Sequence, residues 1–302
     1  MTVLRFALPA LAAAGSAYAA SCSTSATATI SNSGDASAIA SCSTYSGSIA
    51  VATGMSDDLM LGSLKEISGD LIIEKNSNIK RVQADSLETI TGEFRLNDDS
   101  QLAGLQFAKL NKVKSLTLTG LASLRELTFG SEVTECEKLD IENTQLQNLN
   151  GINLKKASSI IIANNPAINN ISMQLTNLTG ALDLSYNNAD VMVQFPLLEA
   201  AQNISVRAVG NLSLPSLSTV DPGSFGIFSS KMESFYAPNL TTVAQALTIV
   251  DNNKMKNLSF VSLTDVKGSF LIENNTALSV LTDLPKLKNV GAALDISGNL
   301  TE

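Results

Sequence analysis

The sequence predicts a mainly β solenoid of about 12 rungs, each 21 to 24 residues long, and three observations predict it. An apolar-x-apolar phrase begins at Ile49, Leu71, Phe94, Leu116, Leu139 and Ile160. It begins again at Leu182, Ile204, Phe225, Leu247, Phe270 and Leu294, and the interval never leaves the range 21 to 24. Most copies run into a turn with an amide or carboxylate at one fixed place: Asn76, Asp99, Asn165, Asn187, Asn252, Asn275 and Asn299. Between the phrases lies a second apolar rhythm, as in Leu102, Leu105 and Leu110, too closely punctuated by Ser, Thr, Asn, Gly and Pro for a long helix. A fixed period of this length marks stacked units, none of which buries its apolar face until a neighbour covers it.

The elements follow in chain order. Residues 1–19 carry Arg5, an apolar stretch from Phe6 to Ala14 and Ala17-Tyr18-Ala19, the pattern of a secretory signal peptide. The stretch falls well short of the ~20 residues a membrane span needs. Residues 20–45 are expected to form an N-terminal cap stapled by a Cys22–Cys42 disulfide, because an uncovered end rung exposes apolar surface and strand edges. Cys136 stands alone, three residues before the core Leu139, and is expected to be a buried thiol.

Residues 46–302 are read as one continuous solenoid with no domain boundary, a rod roughly 55 Å long at a strand spacing of about 4.8 Å. Side chains alternate along a strand, so Leu182 and Leu184 point inward while Asp183 and Ser185 face solvent. The recurring Asn residues are expected to form an inward ladder, because a buried turn must satisfy its backbone groups. The Asp57-Asp58 and Asp98-Asp99 pairs are expected to be turn residues. Phe225, Phe228, Phe235 and Tyr236, with Met232 among them, read either as core filling or as a surface stacking platform, and phase assigns Phe225 to the core.

Eight Asn-x-Ser/Thr sequons stand at Asn170, Asn177, Asn203, Asn211, Asn239, Asn257, Asn274 and Asn299, all in the C-terminal half. Behind a signal peptide they argue for a glycosylated extracellular protein of a eukaryote. A glycan at Asn299 conflicts with its place on the inward ladder.

Composition removes several function classes. The chain has no His, which excludes Ser-His-Asp and Cys-His mechanisms and His metal ligation. No Walker or GxGxxG loop is present, and neither a cofactor nor a metal is expected. The formal charge is −8, or −8 − 1 = −9 without Arg5, and the longest basic run is Lys155-Lys156, so nucleic acid is a poor partner. The remaining catalytic option is a polysaccharide lyase or hydrolase with carboxylates from adjacent rungs; it requires three or more charged residues to converge in one groove. A ligand-binding receptor ectodomain is a lesser alternative, by fold analogy.

The LxLxxN form of Leu182 to Asn187 and of Leu294 to Asn299 looks like a leucine-rich repeat. The preceding apolar residue, however, generally sits four positions before the first Leu, as Leu178, Val243, Val266 and Val290 do, often with Gly between. With the Cys22 to Cys42 segment and the run Ser43 to Ile49, this form resembles the receptor L-domain-like fold, and more closely the fungal GPI-anchored cell-wall organisation glycoproteins of the extracellular-mutant and sporulation-specific group. The resemblance covers Cys22 to Glu302. It implies a right-handed β-helix-like fold, heavy glycosylation, attachment at the plasma membrane or wall, and a non-enzymatic role in wall integrity. Partners would be wall proteins or glucan and mannan chains. Members usually continue into a Ser/Thr-rich stalk and a GPI-attachment tail, whereas this sequence stops at Asn299-Leu300-Thr301-Glu302, so an anchor is expected only in a parent protein.

Overall fold

The computed structural model describes residues 22–281 and 283–300; the expected signal peptide lies outside them. All twelve apolar phrases form front strands, from Ile49–Val51 to Leu294–Ile296, and successive strands pair in parallel. Register sets apolar on apolar: Leu71 on Phe94, Leu182 on Ile204, Leu247 on Phe270. A further front strand, Ala28–Ile30, precedes them and pairs with Ile49–Val51.

Each rung turns through two more short segments. Side strands such as Glu66–Ile67 and Thr242–Val243 join the front strands in one 21-stranded sheet. Rear strands such as Arg81–Gln83, Asn170–Ser172 and Asn257–Ser259 make separate sheets of four, three and two strands. Between Ala28–Ile30 and the second rung runs one helix, Ser33–Ala40, which buries Ala36 and Ile39. Asn32 caps it, accepting from the backbone N–H of Gly34 and Asp35, while the Asp35 carboxylate accepts from Ser31 N–H.

The interior is aliphatic along its length, with Leu182, Leu184 and Leu247 each 0% exposed. Two aromatic stacks run through it: Phe94, Phe107 and Phe129 at 5.0 and 5.8 Å between centroids, and Phe225, Phe235 and Phe260 at 5.7 and 5.9 Å. The C-terminal cluster therefore divides. Phe225, Phe235 and Met232 fill the core, Phe228 is half-buried with the Arg207 guanidinium 4.6 Å over its ring, and Tyr236 is exposed.

After the front strands from Leu71–Glu74 to Phe270–Glu273 one residue adopts the left-handed conformation, and the next points inward. The left-handed residues include Lys75, Asp98, Asn164, Tyr186, Ala208 and Asp251, with φ between 53° and 60°. The inward ones are Asn76, Asp99, Asn165, Asn187, Asn252 and Asn275, all buried. The amides of Asn165, Asn187, Asn252 and Asn275 donate to the strand carbonyl of the preceding rung, at 2.9 Å from Asn165 to Ile141, 2.7 Å from Asn187 to Ile162 and 2.8 Å from Asn275 to Ile249. Their oxygens accept the backbone N–H of the preceding ladder residue, as Asn187 Oδ1 does from Asn165 and Asn275 Oδ1 from Asn252.

Two further members, Thr144 and Ser230, are buried at the same place, and their backbone N–H groups donate to Asn165 and Asn252. At Leu121 and Val209 the place is taken by buried aliphatic residues, which breaks the run of side-chain links after Asp99 and after Asn187. Asn299 departs from the expected inward position. It is exposed and donates to the Thr276 carbonyl at 3.0 Å, because no rung among the described residues packs over the last front strand, where Leu294 is itself 56% exposed.

Candidate functional site

One corner of the solenoid, between side and front strands, is spelled in two ways. In most rungs the last inward side-strand residue precedes the front phrase by four positions, as Ile90 precedes Phe94 and Leu178 precedes Leu182. Glycine then lets corner lie on corner: a Cβ on Gly180 would sit 2.1 Å from the Ser158 carbonyl oxygen. In three successive rungs the separation is three, Val113 to Leu116, Cys136 to Leu139 and Ala157 to Ile160, and it is three once more in isolation, from Ala201 to Ile204. The ladder of pairings absorbs the missing residue as a register shift. Val113 pairs with Ile90 but Ser115 with Glu93, and Ala157 pairs with Leu178 but Ile160 with Leu182. The three successive shortened corners lie between the full ones at Thr91-Gly92 and Thr179-Gly180, and a saddle results with a concavity on each flank.

The front flank encloses about 690 Å³ and gathers Asp70, Glu93, Arg95, Lys138 and Asp140. Arg95 donates to Glu93 at 2.6 Å and to Glu74 at 3.2 Å, and Thr117 donates to the other oxygen of Glu93 at 2.8 Å. Asp140 stands two rungs from Arg95 in the same outward column, with Thr117 between them. Its Oδ1 is buried without a hydrogen-bond partner, as is Arg95 Nε. Burial pushes the Asp140 carboxyl above its ordinary range, and the charges of Glu142 and Glu93 push it further the same way. Charged residues thus converge in one groove, the condition set for a carboxylate site, although Glu93 is committed to Arg95 and Thr117.

The side flank encloses about 820 Å³. Lys112, Glu135 and Lys156 stack in register along it, with Lys112 and Glu135 paired at 2.8 Å. Lys114, Glu137 and Lys155 complete its charges, and Thr91, Thr134, Ser158 and Thr179 add hydroxyls. Cys136 forms part of the wall as a free, buried thiol that donates to the Lys138 carbonyl, and burial pushes its pKa up to about 11. It is therefore protonated and inert at neutral pH. No cluster of three or more His, Cys, Asp or Glu able to hold a metal occurs among the described residues.

The other expected residues are spread along the rod. Cys22 and Cys42 form a disulfide with 5.7 Å between Cα atoms. Asp57 and Asp58 accept backbone N–H groups of Ser33 and Arg81, and Asp98 takes a left-handed turn position. Among the sequon residues, Asn170, Asn211 and Asn257 share the first outward position of their rear strands. Asn177, Asn239, Asn274 and Asn299 are exposed elsewhere around the rod. Asn203 is half-buried in a corner, its Oδ1 accepting from Ser224 N–H at 3.0 Å. Asn177 comes within one strand of the saddle, since it pairs in register with Lys156 and Thr179 of its sequon lines the side flank; the other seven sequon asparagines line neither flank. Sequence reasoning had met Lys155-Lys156 only as evidence against a basic stripe; the change from four to three residues at Val113, Cys136 and Ala157 was the signal that would have found the site.

The chain is thus a parallel β-solenoid with an N-terminal disulfide and a charged saddle on one corner. No solved structure matches it significantly. Residues 1–40 match the family model described as "Ecm33: GPI-anchored cell wall organization protein". The chain is 37% identical to "Protein ecm33" of Aspergillus fumigatus, over 100% of the chain and 76% of that protein. It is 35% identical to a "Cell surface GPI-anchored protein" of Arthroderma benhamiae, over 99% of the chain and 76% of that protein. With "Sporulation-specific protein 2" of Saccharomyces cerevisiae it shares 29% identity, over 86% of the chain and 52% of that protein. The chain belongs to the Ecm33 family, whose members are proteins of the fungal cell surface and wall.

Proposed function

We propose that this chain is a non-enzymatic organiser of the fungal cell wall, holding wall proteins or glucan and mannan chains against the sequon-free half of its rod. One observation carries the reading: every sequon lies at Asn170 or beyond, while the front concavity is lined wholly by residues 70–161 and the side concavity meets a sequon only at its far edge, at Thr179. Glycans are bulky and hydrated, so a surface that must touch a polymer is best left without them. Attachment to the membrane through a GPI anchor is part of this reading, supported by relatives described as GPI-anchored.

A glycan wedge tests this. Ser115→Asn creates the sequon Asn-Leu-Thr inside the front flank, and Ala246→Asn creates the same tripeptide at the equivalent corner of the sequon-bearing half. The expected outcome is loss of wall retention, and of capture from wall extracts, for the first variant only. Equal behaviour of the two glycosylated variants would remove the reading.

A second reading, a β-helix polysaccharide hydrolase or lyase, is favoured by Asp140 alone, a protonation-prone carboxyl without a partner in a groove that holds Glu93. Release of new chain ends from purified glucan or mannan, abolished by Asp140→Asn, would establish it in place of the first.

A further inference from the structure

We propose that the saddle is a binding site for an acidic polysaccharide, whose chain crosses the corner from the side flank to the front flank with its anionic groups on Lys114, Lys155 and Lys156. The inference rests on this half of the rod being the contact surface and narrows the polysaccharide partner proposed above to chains that carry acidic groups.

Charge argues for the anion. The side flank holds four lysines and two glutamates, a local balance of 4 − 2 = +2 on a chain whose formal charge is −8, whereas the front flank holds three cations and four carboxylates, 3 − 4 = −1, so the anionic groups belong on the side flank. Lys112 and Glu135 neutralise one another, and Lys114, Lys155 and Lys156 have no ion-pair partner among the described residues. Screening confines the field of the distant carboxylates to about 8 Å at physiological salt, so the local sign governs. Across the ridge stands Lys138, also exposed and without an ion-pair partner among the described residues.

Shape and lining argue for a polysaccharide over a peptide. A peptide strand adds to a free sheet edge, and the saddle offers none, because its side and front strands are paired with the rungs on both sides. No aromatic residue lines the saddle to anchor a peptide side chain. Hydroxyl groups of Thr134, Ser158 and Thr179 instead alternate with the charges, and each can donate or accept, as sugar hydroxyls require. The saddle spans three shortened rungs, roughly 10 to 15 Å along the rod, enough for one chain crossing it.

The test is direct binding of the full chain to four probes: polygalacturonate and dextran sulfate as carboxylate and sulfate polymers, neutral dextran, and polyglutamate. Polygalacturonate or dextran sulfate is expected to bind with an affinity that falls as salt rises, and to lose at least tenfold in Lys114→Glu/Lys155→Glu/Lys156→Glu. Lys254→Glu/Lys286→Glu/Lys288→Glu, on the far half, is expected to leave binding unchanged. If charge reversal impairs folding, Gln at the same three positions serves, with circular dichroism as the check. A second variant, one glycine inserted after Val113, Cys136 and Ala157, refills the corner without altering charge and is expected to abolish binding. Unchanged affinity in the saddle variants, or dextran or polyglutamate binding as tightly as the acidic glycans, overturns the proposal. Failure of all acidic glycans while the Ser115→Asn wedge still blocks wall retention overturns this inference and leaves the proposed function standing.

Discussion

Two halves of this rod share one interior and one front sheet, yet differ in what they turn outward. From Ile49 to Ile162 there is no sequon, three shortened corners lie side by side where the other half has a single one at Ala201, and the charges gather in a saddle. From Asn170 onward the sequons sit on rear strands, corners and turns, and the front column passes through the small residues Ser205, Gly226 and Thr248. The core repeats without regard to this division: Leu139 is 1% exposed and Leu247 0%. Stability is therefore common property of the stack, while specificity is written into the corners, where one residue can be removed without disturbing the strands.

The largest expected effect tests whether the halves share stability. Leu139→Asp and Leu247→Asp each bury an unpaired carboxylate between rungs and should each cost about 4 kcal/mol or more, with secretion falling sharply. Comparable losses in secreted yield and melting temperature are expected; a normal yield for either would mean that the two halves do not depend on each other.

Next comes a pH dependence confined to the sequon-free half. Asp99 occupies a ladder place that Asn fills in most rungs, and burial pushes its pKa up to about 7, with Asp98 and Glu74 adding to the rise. Backbone N–H groups of Asn76 and Asn97 oppose it. The folded pKa lies above the unfolded value of about 3.9, so the fold binds the proton more tightly. Its contribution is fully present below about pH 4 and is lost as pH rises through 7, on the order of a few kcal/mol. Hydrogen exchange should quicken around Asn76 and Asp99 between pH 5 and 8 while the rungs at Asn252 and Asn275 stay protected, and Asp99→Asn should abolish the difference.

Removing one ladder amide is a smaller step. Asn187→Ala leaves Asn165 N–H and the Ile162 carbonyl without their partners and should cost roughly 1 to 3 kcal/mol. Asn252→Ala should cost a similar amount in the same denaturant titration, since Ser230 N–H and the Ile227 carbonyl depend on it in the same way. Smallest of all, Ala208→Gly relieves a left-handed residue at φ 56° and should raise stability by about 0.5 kcal/mol.

Much of this architecture was legible in the sequence because the period fixes phase. Leu182 and Leu184 could be placed inside and Asp183 outside before any coordinates, and the Asn ladder followed from their shared distance to the strand. Thr144 and Ser230 escaped because a hydroxyl at one ladder place does not stand out among so many surface hydroxyls. Ala28–Ile30 escaped because Ala-Thr-Ile is a weak apolar phrase in a segment read through its cysteines. Asn299 shows the limit of phase: it has the right spacing, but burial needs a neighbour, which spacing does not supply. The saddle was invisible for a different reason, being made by an omitted residue that matters only once Val113, Cys136 and Ala157 lie side by side.

The breaks in the amide ladder at Leu121 and Val209 carry a mechanical consequence. Elsewhere adjacent rungs are tied by side-chain links through Asn165 and Asn187 or through Ser230, Asn252 and Asn275, in addition to their strands. At the two breaks the buried amide links are missing, and the side-chain ties that remain lie at the surface, such as Thr117 to Glu93 and Lys231 to Asp190. A rod pulled from both ends should yield there first, parting into three stiff segments before any one of them unravels.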